Sequence, residues 1–397
     1  MIVKIERMDH LGNGIGYLNG KIIFVPKTIS GDIVKILNYE EHKKYSQAID
    51  YELISLSQER VEAFCPYYEK CGGCHLQNMT YEDTLEYKKN RVHNILAKAG
   101  ITNDIEVIAN QNDKYYRNKI ELKIKNGKLG FYEKKTHKLT EVESCAITKK
   151  AINNFLPELL KMNIQNGEVT LRCNYNDELL IAIQTDDKII LNEDVYPKYK
   201  VVGIILNNTC IYGEKYFLDK INNMFFEISY DAFFQVNSYI NSQLFDLISQ
   251  NCKGATVLDL YSGVGTLSLM ASLNAKNVYA IENIPNAVVN AMKNAKINNV
   301  NNVKFILGNV EDKIQYIDEK IDTVIVDPPR RGLDNITINK ILSLSPAKII
   351  YISCETQKLA EDLKKLQEKY EVNKLSILDM FSYTYHVECV TVLNLKK

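Results

Sequence analysis

The chain contains no run approaching the ~18 uninterrupted apolar residues of a membrane helix. It has no tract rich in Pro, Gly or Ser that would read as a linker, and no internal repeat. It has no excess of charge of either sign, with 49 Lys and Arg against 49 Asp and Glu. That balance excludes a protein that coats nucleic acid by bulk charge and leaves room for a local basic groove. The opening Met1-Ile-Val-Lys-Ile-Glu-Arg returns to charge too soon for the core of a signal peptide, so a cytoplasmic protein that makes no use of a membrane is expected. There are nine cysteines, an odd number. Without an export signal they argue against a disulfide framework and for metal binding or catalysis.

What is present is ordinary for folded protein: 397 residues, 46% hydrophobic and 25% charged, enough for two or three domains. Residues 1–58 read as short strands punctuated by glycine, with Asn19-Gly20 a hairpin signal, and suggest a small RNA-binding type of β-barrel or a purely structural β-module. Residues 59–229 read as a second, mostly β domain. It opens with a cysteine-rich loop and an amphipathic helix over 80–99, with Thr80 as N-cap and Gly100 as the stop, and carries a further hairpin signal at Asn126-Gly127. Residues 230–397 alternate strand-like and helical stretches. This is the βαβ rhythm of a doubly wound, Rossmann-like sheet, so the fold class is α/β.

Two places in this last domain carry chemistry. Val257-Leu-Asp-Leu-Tyr-Ser-Gly-Val-Gly-Thr joins a strand to a helix through Gly263 and Gly265, which allow a ligand close to the backbone. A nicotinamide fingerprint would have a third glycine where Ser268 stands. A strand-ending acid, Glu282, follows about 20 residues after Asp259, placed for ribose hydroxyls. Asn309 follows the third strand, where an amide could read adenine. Together these suit S-adenosylmethionine, which has no pyrophosphate. Further on, Asp327-Pro-Pro-Arg-Arg-Gly closes the fourth strand and Cys354 ends the fifth, facing the crevice where open α/β sheets bind substrates. Cys354 is thus a candidate nucleophile. His386 and Glu388 share one face of the last strand.

Cys65, Cys71 and Cys74 lie within ten positions, and Cys145 could be a fourth ligand. Four thiolates suit zinc or an iron–sulfur cluster. The three-plus-one split departs from the paired knuckles of zinc sites and favours iron–sulfur.

These pieces resemble one family, the RNA (uracil-5-)-methyltransferases that use S-adenosylmethionine. The matching residues are Cys65-x5-Cys71-Gly-Gly-Cys74-x2-Gln77, Cys145, Phe233-Phe-Gln-Val-Asn, Leu258-Asp-Leu-Tyr-Ser-Gly-Val-Gly-Thr, Asp327-Pro-Pro-Arg-Arg-Gly, Ser353-Cys354 and His386-Val-Glu388. The resemblance implies that Cys354 attacks the base and Glu388 removes a proton. It implies that Gln235, Tyr261, Glu282 and Asp327 contact the cofactor, and that Cys65, Cys71, Cys74 and Cys145 hold a [4Fe–4S] cluster. The first 58 residues look like a TRAM barrel, and the helix near 80–99 is expected to pack on the catalytic domain. The barrel and the cysteines resemble the 23S ribosomal branch, so 23S rRNA is the expected partner of a monomer, with tRNA the alternative. Glu355 stands where the family has Asn, and Ser382 where it has Pro.

RNA must also be gripped. Residues Lys114–Lys138 hold nine basic and two acidic residues interleaved with Tyr115, Tyr116, Phe131 and Tyr132, a pattern that suits phosphates and stacked bases, the alternative being a solvated strand face. Two rivals remain: a methyltransferase for protein or small molecules, and a non-catalytic RNA-binding scaffold.

Overall fold

A computed structural model describes every residue except Lys134, Lys135 and Phe233. Strands β1 (Ile2–Lys4), β2 (Arg7–Met8), β3 (Asn13–Leu18), β4 (Lys21–Pro26), β5 (Ile33–Glu41) and β6 (Tyr45–Ser55) form one sheet in the order β1-β5-β6-β4-β3-β2. Asn19 and Gly20 take φ of 51° and 76° between β3 and β4. Two consecutive left-handed residues are what a two-residue hairpin of type I′ demands. Val3, Ile5, Ile23, Val25 and Val34 fill the interior of this β-module.

Helix α1 (Tyr81–Ala97) is capped by Thr80, whose hydroxyl accepts from the Asp83 amide at 3.1 Å. The short strand β7 (Glu106–Ile108) follows. Then come β8 (Lys119–Lys125), β9 (Lys128–Tyr132), β10 (Leu139–Glu141), α2 (Lys150–Leu160), β11 (Asn166–Cys173), β12 (Leu179–Gln184), β13 (Val201–Leu206) and β14 (Thr209–Gly213). These strands make a seven-stranded sheet, β10-β9-β8-β11-β12-β13-β14, backed by α2 over Leu122, Phe155, Val169 and Ile181. Asn126 and Gly127, at φ of 52° and 72°, turn β8 into β9.

The hairpin β15 (Tyr216–Ile221) and β16 (Met224–Ser229) leads into α3 (Ser238–Asn251). The last sheet then follows: β17 (Thr256–Leu260), α4 (Thr266–Ser272), β18 (Asn277–Glu282), α5 (Pro285–Ile297), β19 (Val303–Leu307), α6 (Val310–Lys313), β20 (Thr323–Val326), α7 (Asn335–Leu344), β21 (Lys348–Ser353), α8 (Thr356–Leu366), β22 (Tyr370–Leu378) and β23 (Glu388–Leu395). Its order is β19-β18-β17-β20-β21-β23-β22-β7, with β23 antiparallel to both neighbours. Val257, Leu258, Val324, Ile325, Ile349 and Ile350 are fully buried, as expected of a parallel sheet covered on both faces.

The expected border at 229/230 does not coincide with a gap in packing. Phe217, Met224 and Phe226 of the β15–β16 hairpin lie in one apolar core with Leu244 and Val257. Val92 and Leu96 of α1 lie in another with Leu359 and Leu363 of α8, and β7 extends the catalytic sheet by pairing with β22. A three-residue strand has no periodicity to betray it, and a hairpin does not announce which face it covers. Among the described residues no helix is long and apolar enough to cross a membrane.

Candidate active site

The chain runs β17, β18, β19 to one side and then returns to place β20 on the other side of β17. The crevice at such a reversal, at the carboxyl ends of the strands, is where open α/β sheets take ligands. The loop after β17 and the loop after β20 both open there. Tyr261 sits at φ 65°, uncommon for a residue with a side chain, and begins the first loop. Gly263 has φ 55°, and a Cβ there would meet nothing within 4 Å, so its backbone borders open space. Gly265 differs. A Cβ on it would lie 2.9 Å from the Ala291 Cβ, so this glycine serves the packing of α4's start against α5 rather than the approach of a ligand.

A cavity of about 240 Å³ lies at this place, lined by Gln235, Tyr261, Gly263, Asn290 and Asp327 among others. Glu282 and Asn309 do not line it. The Glu282 carboxylate accepts from the Gly263 amide at 2.9 Å and from the Ile284 amide at 2.8 Å, so it braces the loop. Asn309 is exposed ahead of α6 and hydrogen-bonds Asn283 and Asp312.

A second cavity, of about 1170 Å³, shares Gln235, Tyr261 and Asp327 with the first. Its walls include Cys354, Glu388, His386 and Arg330. Cys354 leaves β21 and is exposed to the cavity. Glu388, only 4% exposed, opens β23. Because β23 runs antiparallel to β21, its beginning lies beside the end of β21, with Ser353 opposite Cys389. Antiparallel order is what brings two residues 34 positions apart to one place.

Electrostatics tie the group together. Burial pushes the Asp327 carboxyl up to about 7. Burial, then the nearby Asp327, pushes Glu388 well above the usual carboxylate range. The Cys354 thiol is also raised, first by desolvation and then by the Glu388 and Asp327 charges, while Arg330 opposes the rise by charge and hydrogen bond. Burial and the surrounding cations Arg330, Arg91, Lys88 and Arg117 press His386 down to about 4, so it is neutral at pH 7. Sequence reasoning missed Arg330 as a site residue, although its place three positions after Asp327 in a stiff loop was the available signal.

The same large cavity is lined by Cys65, Cys71, Cys74 and Cys145, all free thiols. Asn153 of α2 clamps Cys145 by accepting from its amide at 2.8 Å and donating to its carbonyl at 3.0 Å. Gln77 accepts from the Cys65 amide. Burial raises the Cys65 and Cys71 thiols, and Cys74 to about 12, with the neighbouring cysteines adding to each rise. Lys27 reaches in from the β-module and donates to the Cys71 carbonyl at 3.0 Å. Among the described residues, no group of three or more His, Cys, Asp or Glu is arranged to hold a metal ion.

The basic stretch is less free than its composition suggests. Lys119, Lys123, Lys128 and Lys138 pair with Glu121, Glu168, Glu141 and Glu133. Tyr116 is buried, with its hydroxyl on the Ser382 carbonyl, and so does not offer its ring to a base. Arg117 and Lys119 face the large cavity. Lys134, Lys135 and Phe233 lie outside the described residues.

Comparison with known proteins agrees with this geometry. Residues 198–396 match the family model of the tRNA (uracil-5-)-methyltransferases, and residues 1–58 match the TRAM domain of tRNA (uracil(54)-C(5))-methyltransferase. An uncharacterised RNA methyltransferase of Caldanaerobacter subterraneus is 34% identical over 98% of this chain and 97% of its own. One from Fusobacterium nucleatum is 32% identical over 99% and 95%. The crystal structure of Pyrococcus abyssi tRNA (uracil-54, C5)-methyltransferase with S-adenosyl-L-homocysteine superposes with a TM-score of 0.82 at 26% identity, covering 99% of this chain and 100% of that one. The chain belongs to the tRNA (uracil-5-)-methyltransferase family and is an S-adenosylmethionine-dependent RNA methyltransferase acting on uracil C5.

Proposed function

We propose that the protein methylates C5 of a uridine in 23S rRNA through a covalent bond between Cys354 and C6 of the base. The observation that carries the chemistry is the sharing of Gln235, Tyr261 and Asp327 between two cavities, one of which also presents Cys354 and Glu388. A donor seated in the small cavity opens toward a base seated in the large one. S-adenosylmethionine supplies the methyl group from its sulfonium.

Uracil C5 is a weak nucleophile. The Cys354 thiolate adds to C6, and the electron pair moves onto the C4 carbonyl as an enolate, which makes C5 nucleophilic. Arg330, close to Cys354, stabilises the thiolate. After C5 takes the methyl group it still bears a proton. Glu388 accepts that proton, the C5–C6 double bond reforms, and Cys354 leaves as thiolate. Glu388 must be ionised to accept that proton, and its carboxylate is then a strong base because burial favours the protonated form it returns to. The base must leave its stack to reach both groups.

Cys65, Cys71, Cys74 and Cys145 are proposed to hold a [4Fe–4S] cluster in a structural role. Four free thiols line one cavity, and Cys65, Cys71 and Cys74 are each raised in part by neighbouring cysteines, which supports one shared group. Protein purified without oxygen is expected to contain iron and sulfide near four per chain. Stoichiometric zinc instead would refute the cluster.

For the substrate, the resemblance of the cysteines to the ribosomal branch supports 23S rRNA, whereas the barrel matches the TRAM domain of a tRNA (uracil(54)-C(5))-methyltransferase. The Pyrococcus structure, a tRNA enzyme by its name, favours tRNA as the second reading. Mapping 5-methyluridine in both RNAs from a strain lacking the protein decides. A mark lost from 23S rRNA alone supports the first reading, and one lost from tRNA alone replaces it.

A further inference from the structure

Residues 379–387, between β22 and β23, form no strand pairing; the Thr384 amide turns the segment on itself by donating to the Phe381 carbonyl at 3.2 Å, and contacts from elsewhere hold that turn in place. Phe381 lines the large cavity beside Cys354 and Glu388, and so do Thr384, Tyr385 and His386 in one run. The residue before that run, Tyr383, is held from the cysteine loop on two sides. Its carbonyl accepts from the amides of both His75, at 2.9 Å, and Leu76, at 3.0 Å, the two residues after Cys74. Its ring meets Phe64, the residue before Cys65, at 4.8 Å between centroids. Tyr383 is 5% exposed, its hydroxyl bonds Asp113, and its φ is 60°. A side chain in the left-handed region persists only where surroundings impose it.

We propose that Tyr383 is a positioning residue through which the cysteine loop sets the cavity wall Thr384–His386 against the target base. The proposal rests on the reading of Cys354 and Glu388 as the pair that works on that base. Held in its left-handed turn by two amides, Tyr383 aims the next three residues into the cavity. Released, they lose the hold on that side and keep the Arg91 bond to the Tyr385 carbonyl at 2.6 Å, while the donor cavity keeps its own walls, none of which belongs to this segment.

Two variants separate backbone from ring. Asn tolerates the left-handed region and a β-branched residue does not, so Tyr383→Asn keeps the turn and Tyr383→Val opposes it. In hydrogen exchange read by mass spectrometry, Tyr383→Val is expected to speed exchange at His75 and Leu76 and through 384–387, and Tyr383→Asn to leave both near wild type. With RNA carrying 5-fluorouridine, covalent attachment of Tyr383→Val is expected to slow on the order of a hundredfold, the cost of a misplacement near 1 Å. Calorimetry is expected to give unchanged S-adenosylmethionine affinity. Phe64→Ala combined with Tyr383→Val should slow attachment no further than the worse single change, since both break one connection. Equal exchange in the Val and Asn variants, or additive losses in the double variant, would overturn the proposal. Glu388→Gln in the same gel tests the catalytic pair separately, because absence of any adduct there refutes that reading and not this one.

Discussion

At the scale of single residues, the site's chemistry turns on burial. Cys354 and Glu388 can be separated because they act at different moments. Cys354→Ala is expected neither to methylate RNA nor to attach to it. Glu388→Gln should attach and transfer the methyl group, then stall with the base still bound. A denaturing gel with radiolabelled methyl donor reads both, and a labelled adduct from Cys354→Ala would move the nucleophile elsewhere. Full turnover by Glu388→Gln would remove it as the base. His386 would then be a weak substitute, since its burial among cations leaves it neutral and poorly basic.

The thiol shift has its own signature. Burial and the Glu388 and Asp327 charges raise Cys354 above the ordinary thiol value of 9.0. Since the thiolate is the reactive form, alkylation of Cys354 by iodoacetamide in the free enzyme should climb with pH and reach half its maximum above pH 9. Arg330→Met, which removes the opposing cation, should push that midpoint higher still. A midpoint that falls on this change would reverse the assigned role of Arg330.

At the scale of elements, α1 is tied to the catalytic segment by a buried ion pair. Lys88 and Asp379 are both fully buried, and Lys88 also donates to the Phe381 carbonyl at 3.0 Å. Asp379 further accepts from Tyr81 at 2.7 Å and from Ser382 at 2.6 Å. Ser382 thus uses its hydroxyl where the family's proline would have none. Removing one member of such a pair strands the other charge, a loss of about 3–5 kcal/mol. Lys88→Met should therefore unfold at markedly lower denaturant than wild type. Lys88→Met with Asp379→Leu should recover part of the loss, and a double variant worse than the sum of its singles would contradict the buried pair. This tie was not legible in the sequence. Lysine within an amphipathic helix reads as solvated, and only the packing of α1 against the segment after β22 takes it inside. Short-range features were legible because their causes are local. Asn-Gly dipeptides marked both hairpins, and Thr80 with Asp83 marked a helix start. The alternation of apolar strands and helices placed Tyr261, Asp327 and Cys354 on one edge of a sheet. Glu282 and Asn309 were placed by the same rhythm, and spacing alone did not reveal that the Glu282 carboxylate also accepts from two amides of its own loop.

At the scale of the molecule, the large cavity is built by the whole chain. His10 and Leu11 of the β-module, the four cysteines, Arg117 and Lys119 of the seven-stranded sheet and Cys354 of the last sheet share it. A protein without net charge must concentrate its attraction for RNA, and this cavity does so with Arg91, Arg117, Lys119, Arg172 and Arg330 on its walls. Not all of these are available to phosphate. Arg172 is 5% exposed and donates to the Tyr230 and Ala232 carbonyls, so it anchors the segment that leads to Gln235. Arg117 and Lys119 are the better phosphate contacts because they line the cavity, although Lys119 is paired with Glu121. Lys123 and Lys128, which composition alone would rank equally, are matched by Glu168 and Glu141 across neighbouring strands. Each phosphate contact to a single strand contributes about 0.7 to the slope of log affinity against log salt. Replacing Arg117 and Lys119 by Gln should thus flatten that slope by about 1.4 and weaken binding most at low salt. Replacing Lys123 and Lys128 should leave it within error of wild type, since neither lines the cavity. Binding isotherms from low to moderate salt give both slopes. If the Lys123 and Lys128 pair carried the larger change, the RNA path would follow the outer hairpin instead of the cavity mouth.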